Sequence, residues 1–93
     1  MTKKVAVWGT LREGHGNHWR MNEHAKVADD YLPDTRKISL SLIEEQGSKV
    51  PVEVYELNDA TYEEVDFFEN MCGYIAKEVY LESGEKALVW YDC

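Results

Sequence analysis

The chain is short of cysteine, of basic residues and of long apolar runs, and each shortage closes off a class of protein. Cysteine occurs twice, at Cys72 and Cys93. A secreted domain stapled by disulfides normally carries four or more, so two unpaired thiols suit a reducing, cytoplasmic setting. Lys and Arg number 10 against 18 Asp and Glu, a net charge of -8. Nucleic-acid binding needs a basic footprint to displace counterions, and this balance argues against such a partner. Gly9 cuts short the only apolar stretch near the N-terminus, which is too brief for a signal-peptide core. Nothing approaches the roughly 20 apolar residues of a membrane span. The expectation is an intracellular protein with neither a membrane nor a nucleic acid as partner.

What is present describes one compact domain, residues 1–93. Hydrophobic residues make up 44% of the chain and aromatics 12%, which is globular rather than disordered. The charge is uneven. Residues 1–40 carry seven basic and five acidic side chains, while residues 41–93 carry three and thirteen. Most of the acids belong to solvated faces, but one or two are candidates for chemistry in a cleft.

Val5-Ala6-Val7-Trp8 reads as a buried strand. Gly9 to Asn17 follows as a loop with three glycines, able to bring its backbone close to a ligand. The spacing of Met21, Ala25 and Ala28 predicts a short helix over 18–28, with Asn17 as its N-cap. A turn is expected at 29–34. Ile38 to Ile43 alternates as a strand, Gln46-Gly47-Ser48 reads as a turn, and Val50 to Leu57 alternates again. These last two strands are expected to pair antiparallel. Asn58 to Glu64 opens the clearest helix, with Thr61 and Glu64 fitting a capping box and Asp59 as an alternative cap. That helix should run to about Asn70, with Gly73 beyond it. Two more strands, Tyr74–Leu81 and Ala87–Tyr91, read as a hairpin joined by 82–86. The pattern is α+β with mostly antiparallel pairing.

Four groups of residues bear on chemistry. The glycine loop lacks the Lys-Ser/Thr ending of a P-loop and the third glycine of a dinucleotide fingerprint. Alone it is an ordinary strand exit. His15, His18 and His24, with Glu13 and Glu23 nearby, do not fall on one face, which argues against a metal site. Cys72 would be a nucleophile only with a histidine base in reach, and a buried structural role suits it better. Asp66 and Glu69 share a helix face at i and i+3. Beside two phenylalanines, such a pair is either solvated or has one carboxyl whose pKa is raised by desolvation and like charge.

The first and fourth groups together carry a resemblance. Trp8-Gly9-Thr10-Leu11-Arg12-Glu13-Gly14 with Asn17-His18 resembles the opening of the gamma-glutamylcyclotransferase-like (AIG2-like) family. It is closest to the gamma-glutamylamine cyclotransferase branch. Val54-Tyr55-Glu56-Leu57, then Asp66-Phe67-Phe68-Glu69, then Tyr74 resembles that family's second signature. The resemblance implies a small, mostly antiparallel β-barrel with one or two packed helices. It implies Glu69 as the catalytic acid-base, with Trp8, Gly9, Thr10, Leu11, Asp66 and Tyr74 around the substrate. The implied reaction is a cofactor-independent acyl transfer on a small γ-glutamyl molecule, giving 5-oxoproline and a free amine. A second reading keeps the same pocket in a catalytically silent binding or inhibitory module.

Overall fold

The computed structural model describes residues 2–21 and 24–92. Its elements run β1 (Thr2–Val7), a 3-10 turn (His18–Arg20), β2 (His24–Ile38), β3 (Ser41–Asn58), α1 (Asp59–Met71), β4 (Tyr74–Tyr80) and β5 (Lys86–Asp92). The five strands form one sheet in the order β2-β3-β1-β5-β4. All neighbours pair antiparallel except β1 and β5, which are parallel. The sheet curls until its ends meet. The Tyr31 carbonyl on β2 accepts a hydrogen bond from the Glu82 N–H, 2.9 Å away, just beyond β4. Asp30, buried beside it, accepts from the Ser83 N–H and hydroxyl. This closes the sheet toward a small barrel with α1 packed outside.

Strand β1 lies in the middle of this arrangement, which explains its unbroken apolar run. Ala6 and Trp8 face the interior of the curl with Leu32, Val52, Val54 and Val89. Val5 and Val7 face the other way, onto Leu11, Met21, Val65 and Trp90 beneath the helix and loop. A strand buried on both faces has no polar alternation to display.

The region 18–58 differs from the sequence expectation. Among its described residues only His18–Arg20 is helical, as a 3-10 turn, and Asn17 makes no side-chain capping bond to it. Its side chain binds Thr10 Oγ1 and Arg20 Nε instead. Ala25 and Ala28 lie on β2, paired with β3 across a bulge at Val27. The expected turn at 29–34 is the middle of that strand. The expected strand over 38–43 is a hairpin tip, with Ser39 and Leu40 joining β2 to β3. Ser39 takes a left-handed φ of 56° without the Asn-Gly signature such turns usually carry. The segments 41–43 and 50–58 therefore do not pair with each other. They are parts of one long β3, interrupted where Gln46-Gly47-Ser48 bulges out. Gly47 has φ 87°, and its N–H donates to Asp34 Oδ1 at 3.0 Å. The reason is tertiary: β2 is an edge strand with few buried side chains, so its pairing with β3 leaves little hydrophobic trace in the sequence.

The helix and final hairpin follow the local signals more closely. Asn58, rather than Thr61 or Asp59, caps α1, its Oδ1 accepting from the Thr61 N–H at 2.7 Å. Thr61 is buried in the first turn. Gly73, at φ 92°, ends the helix and turns the chain into β4.

Candidate active site

The site forms where β1 runs out. The loop after Trp8 is drawn tight by its own hydrogen bonds. The Gly9 carbonyl accepts from the Arg12 N–H and Nε, the Thr10 carbonyl from the Asn17 N–H, and the Leu11 carbonyl from His18 Nδ1–H at 2.8 Å. With three successive carbonyls engaged, the loop is held in one shape. Among the described residues, none accepts a hydrogen bond from the Thr10 or Leu11 N–H. Backbone donors left over in this way suit an anion or a developing oxyanion.

Helix α1 brings Glu69 to the same place. A cavity of about 70 Å³ is lined by Trp8, Gly9, Thr10, Leu11, Glu69 and Tyr74, together with Ala6, Val7, Leu40 and Trp90. Its aromatic wall is fixed by direct bonds. The Trp8 indole N–H donates to the Trp90 carbonyl at 2.9 Å, deep in the core. Trp8 and Tyr74 meet edge to face with centroids 6.1 Å apart. The Tyr74 hydroxyl donates to the Leu40 carbonyl at the hairpin tip, so the β2–β3 hairpin helps shape the cavity.

Glu69 has an unusual acidity. Burial raises its pKa to about 7. The nearby Arg20 pulls it down, Asp66 pushes it up, and among the described residues no hydrogen bond to the carboxylate offsets the desolvation. A carboxyl group so poised exchanges a proton readily near neutral pH. Burial, with a smaller contribution from the Glu69 charge, also holds the Tyr74 hydroxyl in its protonated, donating form.

The sequence-derived candidates divide. Trp8, Gly9, Thr10, Leu11, Glu69 and Tyr74 come together. Asp66 does not line the cavity. Its Oδ1 accepts from the Trp90 indole N–H at 2.9 Å, behind the wall. Leu40, Trp90 and Arg20 were not foreseen: their places depend on the hairpin tip, on β5 and on the 3-10 turn. Arg20 lies with its guanidinium 3.7 Å from the Phe68 ring centroid. Cys72 is exposed at the helix end rather than buried, because the chain leaves the core there. Among the histidines, the rings of His18 and His24 stand 5.0 Å apart, packed on Tyr55. Glu23 and Cys93 lie outside the described residues.

A sheet closed on itself, with one helix presenting a carboxyl to a glycine-threonine-leucine loop, defines a small α+β protein with a cyclotransferase-like fold. The chain belongs to the family described as gamma-glutamyl cyclotransferase, AIG2-like, whose model matches residues 5–92. It is similar to protein PH0828 of Pyrococcus horikoshii, assigned to the gamma-glutamylcyclotransferases, with 32% identity over 94% of this chain and 76% of that one. The crystal structure of PH0828 superposes with a TM-score of 0.81, at 30% identity, over 96% of this chain and 76% of the other. Two more distant structures share the fold. YkqA of Bacillus subtilis has a TM-score of 0.85 at 23% identity, covering 99% of this chain and 36% of that one. A gamma-glutamyl cyclotransferase has a TM-score of 0.78 at 14% identity, covering 100% and 68%. No helix among the described residues is long and apolar enough to cross a membrane.

Proposed function

We propose that this chain cyclises γ-glutamyl compounds, releasing 5-oxoproline and a free amine. The single observation that supports this most is that Glu69 lines one cavity together with Gly9, Thr10 and Leu11. In this reading the Glu69 carboxylate takes a proton from the substrate's α-ammonium. The freed amine attacks the substrate's own γ-carbonyl carbon, forming the ring C–N bond. The original amide C–N bond then breaks as the protonated Glu69 gives its proton to the departing amine, and the second proton left on the ring nitrogen passes through the freed Glu69 carboxylate to that amine, which leaves as an ammonium. The nucleophile belongs to the substrate, so no serine or cysteine is required, and the reaction uses no cofactor.

The chain's contributions are orientation and proton transfer. A folded glutamyl group held against the Thr10 and Leu11 N–H donors converts the attack into a ring closure already aligned, a large effect when the geometry is tight. Trp8 and Tyr74 bound the site and limit water. Asp66 acts indirectly, anchoring Trp90 and adding negative charge near Glu69. A silent binding module would have no use for a half-buried carboxyl titrating near neutrality. The resemblance to the gamma-glutamylamine cyclotransferase branch makes an amine the leaving group, and the partner is a small molecule rather than a nucleic acid or membrane.

The test is direct. Purified protein is incubated with a panel of γ-glutamyl compounds, and 5-oxoproline is measured by chromatography. The wild-type chain should release it, and Glu69→Gln should not. Release that persists in Glu69→Gln would sink the mechanism.

A further inference from the structure

The cavity beside Glu69 is small, so whatever a substrate carries beyond its glutamyl group must continue outside it. A cleft of about 420 Å³ shares Trp8 with the cavity as a lining residue. It is lined also by Arg12, Arg36, Lys37 and Lys49, with Glu45 as the one carboxylate among its described lining residues. A chain of net charge -8 thus gathers four of its ten Lys and Arg side chains in one cleft that shares Trp8 with the Glu69 cavity.

Two of these cations are already engaged. Arg36 lies 3.5 Å from Glu45, and Lys49 lies 3.3 Å from Glu82. Arg12 gives its Nε to the Gly9 carbonyl, and Glu53 on β3 feels its charge. Lys37 is different. Its ammonium sits over the Trp8 ring, 5.6 Å from the centroid. Among the described residues no carboxylate comes within ion-pair distance of it. An ammonium held on an aromatic wall, with no carboxylate partner among the described residues, focuses a positive field on the space beside it. An alkylamine leaving group would gain nothing there, and a cationic diamine would be repelled.

We infer that the amine released by this site is an acidic amino acid, whose carboxylates are received by Lys37 and Arg12 in the cleft beyond Trp8. The inference rests on the γ-glutamyl reading above and specifies which leaving group that reading takes.

The experiment compares kcat/KM for γ-glutamyl-glutamate and γ-glutamyl-butylamine, at low and high salt, in wild type, Lys37→Glu and Lys37→Arg. The wild type should favour the acidic substrate by roughly tenfold at low salt, and high salt should erode the preference by screening. Lys37→Glu should abolish the preference, and Lys37→Arg should keep it. Equal kcat/KM for both substrates, or a preference that neither salt nor Lys37→Glu alters, overturns the inference and leaves the γ-glutamyl reading standing. Release from neither substrate overturns both. If Lys37→Glu does not fold, the salt dependence of the wild type decides by itself.

Discussion

Asp66 and Trp90 are joined by a 2.9 Å hydrogen bond in which the indole N–H donates to the carboxylate. This bond turns Asp66 away from the cavity while leaving its charge within reach of Glu69. The Trp90 carbonyl in turn accepts from Trp8, so one buried aromatic links the acid behind the wall to the ring in front of it. The two carboxyls on one helix face therefore have separate parts: one braces the wall and the other faces the cavity.

Activity should depend on pH through Glu69. The carboxylate form is the base, so kcat/KM should rise by roughly tenfold per pH unit below the pKa of about 7 and level off above it. A pH–rate profile checks this, and a flat profile from pH 5 to 9, on the order of two units either side of the expected midpoint, would speak against Glu69 as the base.

The same shift has a cost in stability. The folded pKa of about 7 lies above the ordinary value of 4.5, so the protein is most stable with Glu69 protonated, below the ordinary value. That stability is lost as pH rises through about 7. Glu69→Gln should thus be more stable than wild type above neutrality, by about 2 kcal/mol after allowing for solvent screening. The difference should shrink as pH falls below about 7 and vanish below the ordinary value of 4.5. Urea denaturation at two pH values measures it.

Arg20 and Asp66 act on Glu69 with opposite signs. Removing the guanidinium in Arg20→Ala should move the midpoint of the pH–rate profile upward, and Asp66→Asn should move it downward. The Arg20 shift should be the larger, since Arg20 has the stronger influence on Glu69. Equal or same-direction shifts would mean that the field around Glu69 is set by other groups.

Asp30 holds the curl closed. Burial opposes its charge, but hydrogen bonds from Ser83 and the Tyr31 N–H outweigh burial and keep its pKa below the ordinary carboxylate range. Asp30→Ala leaves these donors without their acceptor and should cost about 2–3 kcal/mol in denaturant unfolding. Because the pKa is depressed, the contribution is present above the ordinary aspartate value and disappears as pH falls through the folded one. The gap between variant and wild type should narrow in strong acid.

Gly47 should resist substitution for conformational reasons alone. A Cβ added there would meet nothing within 4 Å, yet its φ is 87°. Gly47→Ala should destabilise by about 1 kcal/mol, read as a lower denaturation midpoint. No change would mean that the bulge opposite Asp34 adjusts freely.

The parts of the molecule legible in the sequence are those whose signals are local. β1 shows as an apolar run ended by Gly9, α1 as a polar cap before a helical spacing, and the β4–β5 hairpin as two alternating segments around Gly84. The candidate site was legible as residue types in order, which is why the loop and Glu69 could be named together. What the sequence could not contain is their surroundings. β2 is an edge strand whose pairing is dictated by β3, and its few buried side chains mimic a helix stripe and a turn. Leu40 and Trp90 reach the cavity from a hairpin tip and a distant strand, and Arg20 lies near Glu69 because the 3-10 turn brings it there. The acidity of Glu69 is the sharpest case. The glutamate is written in the chain, but its desolvation comes from burial among elements distant in sequence, and only tertiary packing brings them together.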